Sequence, residues 1–317
     1  MREGVALKNP PDCPKSWHFV AESKSIKKDK PYLFELFGEE FILFRDENNK
    51  ISAVSPRCAH LGACFSTGYV KEGKLVCPFH AWKYAANGEC VELPSGAPIP
   101  KSAKLKSYPV HEQWGLVFLF NDEVAAFDFP FFDDFQNREV IRSKCYEVYQ
   151  EGVWYTVPSN AFDSEHFIHV HNRYPTKEPV IAIKSPHLAH IKYQYEIKGK
   201  IWSDRLMCIL FGNVAELDFS NWAGNLILAT TKVGPFQNKM LIFLRPLTMT
   251  TSVSQIFVFR KKQGLLGKML CEFQAKASQL FFAKEARELK KADIINGNFT
   301  ASDKNLVTYL KWLGDAS

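Results

Sequence analysis

Residues 58 to 82 read CAHLGACFSTGYVKEGKLVCPFHAW, with Cys58 and His60 at one end, Cys77 and His80 at the other, and sixteen residues between His60 and Cys77. Each pair is close enough in the chain to sit on one tight loop and aim both side chains at one point. The four side chains therefore offer two thiolates and two imidazoles. Two groups fit that set: tetrahedral zinc bound by two Cys and two His, or a [2Fe-2S] cluster whose two Cys hold one iron and whose two His hold the other. The spacing favours the cluster. Zinc-finger patterns keep the Cys together and the His together, usually with a helix carrying the His pair, whereas here each loop carries one of each.

A second set lies in NAFDSEHFIHVHNR, residues 160 to 173. His166 and His171 are five residues apart and Asp163 precedes His166 by one turn, so the start of a helix would present all three to one pocket. Two imidazoles and a carboxylate form the ligand set of mononuclear non-haem Fe(II), which leaves positions open for O2 and substrate. Taken alone, histidines at 166, 169 and 171 are more often the mark of ordinary core or surface positions.

The elements that must carry these residues differ between the two halves of the chain. YLFELFGEEFILFRDENNKISAV, from Tyr32 to Val54, reads as strand, turn at Gly38, strand, hairpin loop, strand. Asn87-Gly88 is a hairpin signal, and GLVFLF at residues 115 to 120 reads as a buried strand, so residues 17 to 120 form one β-rich unit. Acids, aromatics and Pro130 in residues 121 to 137 mark a connector. Residues 145 to 157 then read as strand, and SNAFDSEHFIHVH as a helix capped by Ser159 or Asn160. HIKYQYEIKG, NLILATTKV, KMLIFLRPL and TSVSQIFVF read as strands, and a charged helix is expected from about residue 265 to about residue 295.

Composition narrows the class. The 317 residues are 46% hydrophobic, which supplies core for two domains, and the charged fraction of 23% is far from that of a disordered chain. A net charge of +6 is mild, and its densest basic pieces, Lys27-Lys28, Lys261-Lys262 and Lys290-Lys291, are short pairs of the kind found on solvated faces, which argues against nucleic acid as a partner. No apolar run approaches the roughly 18 residues of a transmembrane helix, and MREGVALKNPPDCPKSW lacks the apolar core of a signal peptide, so a cytoplasmic protein is expected. Of the eight Cys, Cys13, Cys64, Cys90, Cys145, Cys208 and Cys271 have no His at comparable spacing and read as ordinary thiols. No G-x-G-x-x-G follows a strand, so a nicotinamide or flavin site is not expected within the chain.

CAHLGA and CPFHAW resemble the two cluster-binding loops of Rieske oxygenases and Rieske ferredoxins, with Gly62, Gly68 and Pro78 in the expected surroundings. Rieske proteins of the cytochrome bc type carry an extra Cys in each loop that forms a disulfide; here the second loop reads Pro78-Phe79, so Cys64 has no such partner. The pattern Asn160-x-x-Asp163-x-x-His166-x-x-x-x-His171 resembles the iron-binding signature of Rieske non-haem iron oxygenases. Within that family the Rieske stretch is similar to the terminal oxygenases that include bacterial 3-ketosteroid hydroxylases and the animal cholesterol desaturase group.

This resemblance implies an α+β chain: an N-terminal antiparallel β Rieske [2Fe-2S] domain over residues 1–125, then a helix-grip-like catalytic domain over residues 126–317 with a central antiparallel sheet and flanking helices. It assigns Cys58, His60, Cys77 and His80 to the cluster and His166 and His171 to a mononuclear Fe(II). Asp163 would bridge an iron His to a cluster His of a neighbouring subunit in a homotrimer, with Asn160 beside it, and His169 is left as a pocket or packing residue. The third iron ligand in the family is an Asp on a late helix. Asp293, followed by Ile294-Ile295, is the first candidate; Glu285, among Phe281, Phe282 and Leu289, is the rival, and a centre with neither is the remaining case. The activity implied is O2-dependent hydroxylation, demethylation or desaturation of a hydrophobic, sterol-like or aromatic small molecule, as a monooxygenase or dioxygenase. Its electrons would come from a separate ferredoxin or flavin reductase. The alternatives are a Rieske electron carrier and a non-catalytic Rieske-like subunit.

Overall fold

The computed structural model describes residues 7–135, 139–198, 205, 208–209 and 212–315. They divide into two compact units, Lys15–Phe129 and the described residues from Pro130 onward joined by residues 7–14. The change of unit therefore falls between Phe129 and Pro130, four residues beyond the expected boundary. Residues 7–14 cluster with the second unit, where Trp154 Nε1 donates to Pro11 O at 3.1 Å and Lys8 Nζ pairs with Asp315 at 2.6 Å.

The first unit is built from small antiparallel sheets. Its strands are β1 (Trp17–Glu22), β2 (Tyr32–Leu36), β3 (Glu39–Arg45), β4 (Ile51–Val54), β5 (Tyr69–Lys71), β6 (Lys74–Val76), β7 (Lys83–Tyr84), β8 (Cys90–Glu92), β9 (Ser107–Tyr108), β10 (Val110–Gln113) and β11 (Leu116–Phe120). They pair in the orders β1-β11-β10, β2-β3-β4-β9 and β5-β6-β7-β8. The expected strands of residues 32 to 54 are β2, β3 and β4, and GLVFLF is β11. All five side chains of β11 are buried. At roughly 2 kcal/mol each they contribute about 10 kcal/mol of gross hydrophobic stabilisation, which explains the unbroken apolar run. Asn87-Gly88 does turn the chain between β7 and β8: Gly88 has φ +80°, and a Cβ there would collide with the Leu105 carbonyl.

The second unit centres on an antiparallel sheet of nine strands among the described residues. They are β12 (Val140–Arg142), β13 (Tyr146–Glu151), β14 (Arg173–Pro175), β15 (Ala182–Ser185), β16 (Leu188–Ile197), β17 (Val214–Trp222), β18 (Leu226–Val233), β19 (Phe236–Thr248) and β20 (Thr251–Lys261). The order is β12-β20-β19-β18-β17-β16-β14, with β13 also on β20 and β15 also on β16. In β16, Ala189, Ile191, Tyr193, Tyr195 and Ile197 are buried while Lys192, Gln194 and Glu196 are exposed, the period-two signature of a sheet with one face on a core.

Among the described residues, helices α1 (Thr156–Ser159), α2 (Ser164–His169), α3 (Gly264–Glu288) and α4 (Lys304–Asp315) accompany the sheet. The long α3 packs across β12, β13 and β20. Its buried residues, Gly267, Cys271, Gln274, Ala275, Ser278, Phe282 and Glu285, recur every three or four positions and form one stripe against the sheet. Phe162 stacks on Tyr309 of α4 with ring centroids 4.0 Å apart, which fixes the segment between α1 and α2 to the same core. The chain thus has the expected α+β class, with a sheet gripping a long helix.

Candidate metal centres

The two Rieske-like loops repeat one hydrogen-bonding pattern. Cys58 N–H donates to Ala63 O and Gly62 N–H to Cys58 O; Cys77 N–H donates to Trp82 O and Ala81 N–H to Cys77 O. The residue four after each Cys has positive φ, +75° at Gly62 and +51° at Ala81. Each Cys is thereby locked into a closed turn whose tip carries the His. Gly68 serves a different end: a Cβ there would press on Val76 O of β6, just before Cys77.

Cys58 and Cys77 are buried in the core of this unit, at 3% and 2% exposure, with Ile42, Phe65, Leu75 and Tyr84. His60 and His80 lie exposed at the loop tips, their ring centroids 4.8 Å apart. The Trp82 indole stacks flat on His60, and the Phe79 ring lies 3.9 Å from that of His80. Burial pushes the Cys58 thiol above its usual range, opposed by the Tyr84 hydroxyl and the His60 N–H and reinforced by the Cys77 thiol. Two adjoining buried thiols facing two adjoining surface imidazoles fit a cluster with one Cys-bound and one His-bound iron. Cys64, by contrast, sits beside Ser66 Oγ at 3.1 Å.

The second centre is assembled from three elements. Residues 159 to 171 do not form one helix capped by Ser159 or Asn160, as expected. A single turn of 3-10 helix, Asn160–Phe162, separates α1 from α2, and Asp163 is the cap of α2, its side chain accepting His166 N–H at 3.1 Å. His171 lies beyond α2, ahead of Asn172 with φ +52°, and this turn swings its ring back towards His166. The two Nε2 atoms are 3.0 Å apart.

The carboxylate that joins them is Glu285 of α3. Its Oε2 is 2.8 Å from His166 Nε2 and its Oε1 is 3.1 Å from His171 Nε2. Asn160 Nδ2 donates to Glu285 Oε2 at 3.1 Å and lies 3.4 Å from His166 Nε2. The side chains of His166, His171 and Glu285 are only 9%, 11% and 4% exposed. Burial alone would raise the Glu285 carboxyl, but the close approach of the His166 and His171 imidazoles outweighs it and holds the carboxyl at about 2.

This donor set fits a divalent metal. Two imidazole nitrogens facing each other at 3.0 Å share one proton at most, and Glu285 Oε1 is out of line for a hydrogen bond to His171. A cation between the three groups satisfies them together. Metal–ligand bonds of about 2.1 Å at right angles place donor atoms about 3.0 Å apart, which matches the observed edges.

Asp293, the first choice of third ligand, is not brought to this group. Helix α3 ends at Glu288, about seven residues short of the expected end, and Asp293 is an exposed turn residue whose carboxylate binds the N–H and Nδ2 of Asn296. Asp163 is half-buried and spends one oxygen on the helix cap. His169 is neither a pocket nor a packing residue: it is exposed and pairs with Glu165 at 3.1 Å. Not anticipated are the contact of Phe281 with His171, ring centroids 4.9 Å apart, and Tyr193, which with Phe167 lines the same core.

The chain is similar to known proteins in sequence and in fold. The description Rieske [2Fe-2S] domain matches residues 16–109. A Rhodococcus rhodochrous protein named 3-ketosteroid-9-alpha-monooxygenase, oxygenase component, is 28% identical over 213 residues, covering 64% of this chain and 52% of its own length. The chain thus spans about half the length of the curated relatives it matches. Chlorophyllide a oxygenase of Chlamydomonas reinhardtii is 34% identical over 117 residues, 37% of this chain and 18% of that one. Among solved structures, Pseudomonas putida CBB5 NdmB has a TM-score of 0.67 at 19% identity, with 95% of this chain and 90% of that chain covered. Dicamba monooxygenase bound to dicamba has a TM-score of 0.62 at 17% identity, covering 96% and 98%. Residues 16–109 thus match the Rieske [2Fe-2S] domain, and the chain is similar in sequence to oxygenase components and in fold to NdmB and dicamba monooxygenase.

Proposed function

We propose that the chain is the terminal oxygenase of a multicomponent system, with His166, His171 and Glu285 holding one Fe(II) and Cys58, Cys77, His60 and His80 holding a [2Fe-2S] cluster. The observation that carries this reading is the convergence of two imidazoles and a carboxylate, from separate elements, at one largely buried point of the second unit. When bound, the cluster supplies one-electron transfer and the iron supplies O2 activation.

The chain's own residues set the conditions for that chemistry. Asn160 fixes the Glu285 carboxylate through its amide, and the Asp163 cap fixes the backbone of His166. Phe167 and Phe281 flank His171 and help keep water from the ligand atoms. An apolar lining of this kind suits a hydrophobic small molecule, and relatives named for 3-ketosteroids support a sterol-like or aromatic one. Electrons come from a separate ferredoxin or flavin reductase, as the name oxygenase component suggests for the relatives. Asp163 is proposed to link the two metal sites of adjacent chains in a cytoplasmic homotrimer. Asp163→Asn keeps a cap acceptor for His166 N–H, so it separates that role from capping.

The test is O2 uptake by protein supplied with a reductase and a panel of steroid and aromatic substrates, with 18O2 labelling. Substrate-dependent uptake that Glu285→Ala abolishes, with label in a hydroxylated product, is expected; a desaturated product would carry none. A protein that cycles its cluster yet takes up O2 identically in wild type and Glu285→Ala would instead be an electron carrier.

A further inference from the structure

Helix α3 is apolar on two opposite faces. One is the stripe ending in Glu285 that packs on the sheet; the other carries Leu266, Met269, Phe273 and Leu280, spaced by three, four and seven residues and hence on one side of the helix. With Leu265 these side chains are between 61% and 77% exposed. Five large apolar side chains on one outward stripe exceed the scattered exposed residues of an ordinary surface.

The unpaired charges around the stripe have one sign. Lys261, Lys268 and Lys276 are exposed and form no ion pair among the described residues. Lys262 and Lys284 pair with Glu139 and Glu288 at 2.9 and 3.5 Å. Of the helix acids, Glu272 is turned inward to Lys144 N–H and Tyr146 O–H, Glu285 is buried and Glu288 is the partner of Lys284. A second copy docked on this face about a two-fold axis would set Lys268 and Lys276 against the same lysines. An anionic lipid surface accepts both the apolar stripe and its lysines.

We propose that the outward face of α3 docks the protein on the surface of an anionic bilayer. The docking is interfacial, since no helix among the described residues is long and apolar enough to cross a membrane. The same helix carries Leu280 on the stripe, then Phe281 against His171, then Glu285, so docking sets the metal group about one turn from the end of the lipid-facing stripe. Resting on the oxygenase reading above, this makes the substrate one that is dissolved in the bilayer.

The test is co-sedimentation of the metal-loaded protein with phosphatidylcholine vesicles, with and without phosphatidylserine. It reads binding alone, so it stands or fails separately from turnover. Binding is expected to be stronger with phosphatidylserine, to fall about ten-fold in Met269→Gln/Phe273→Gln, and to lose about five-fold of the phosphatidylserine preference per lysine in Lys268→Gln/Lys276→Gln. Unchanged far-ultraviolet circular dichroism and thermal melting show that these exposed substitutions leave the fold intact. Wild-type protein that stays in the supernatant with both vesicles overturns the proposal, as does binding that the Met269/Phe273 variant retains. A wild-type oligomer that ignores vesicles and becomes monomeric in that variant assigns the face to contact between copies and also overturns it.

Discussion

Trp82 lies flat on His60, with ring centroids 4.3 Å apart and planes inclined by 5°. His60 is otherwise exposed at a loop tip, so this stack is what holds its imidazole in one orientation. An aromatic stack contributes about 0.5–1.5 kcal/mol. Trp82→Ala is therefore expected to keep the visible cluster spectrum but to lose the cluster to a chelator about three-fold to ten-fold faster, with Trp82→Phe in between. An unchanged rate would show that the loop alone orients His60.

Tyr84 places its hydroxyl 3.2 Å from Cys58 Sγ in the buried half of the first unit. Donation to a thiolate favours the more negative, reduced cluster. Tyr84→Phe removes it at nearly constant volume, and about 1 kcal/mol for the bond corresponds to roughly 40 mV in a one-electron couple. A redox titration followed by electron paramagnetic resonance should show a drop of that order. A rise in potential would contradict this assignment of donor and acceptor.

Asn160 reaches Glu285, the one carboxylate of the group, from a different element. Losing such a supporting hydrogen bond typically weakens metal binding by about ten-fold or more. Asn160→Ala should show this as a weaker metal dissociation constant, while Asn160→Asp adds a second negative charge beside Glu285. Equal affinity in Asn160→Ala and wild type would reduce Asn160 to a packing residue.

Asp218 gives a pH dependence away from both metal centres. Burial would raise its carboxyl, but His190 and Lys192, each 2.9 Å away, hold it at about 2. Its folded value lies below the unfolded value of about 3.9, so its contribution is present above pH 4 and is lost as the pH falls towards 2. Because the side chain is 44% exposed, solvent screening limits that contribution to about 0.5 kcal/mol. Asp218→Asn should lower the urea midpoint at pH 7 and differ less from wild type at pH 3. A difference that widens in acid would reverse the sign.

What the sequence made legible follows from distance along the chain. Cys58 with His60, and Cys77 with His80, lie within one turn each, so local spacing shows the chemistry. His166 and His171 are nearly as local, although the break at Asp163 and the turn at Asn172 were hidden by an otherwise helical pattern. Glu285 is more than a hundred residues from His166, and its place depends on which face of α3 meets the sheet. The signal was present in the recurrence of Cys271, Ala275, Ser278 and Phe282, which puts Glu285 in register with the buried stripe. Asp293 looked equivalent only while the helix was taken to run past Glu288. Strand β17 was not singled out because polar and apolar residues alternate weakly in it, and helix α4 was not anticipated although the capping box of Thr300 and Asp303 ahead of it signals a helix start.

The central claim is that this chain binds a two-iron cluster and, separately, one iron through His166, His171 and Glu285. Iron and acid-labile sulfide analysis of anaerobically reconstituted wild type, Glu285→Ala and Asp293→Ala tests it most directly. Three irons and two sulfides per chain are expected in wild type and Asp293→Ala, with two of each in Glu285→Ala. A third iron that survives in Glu285→Ala, or disappears in Asp293→Ala, would contradict the account.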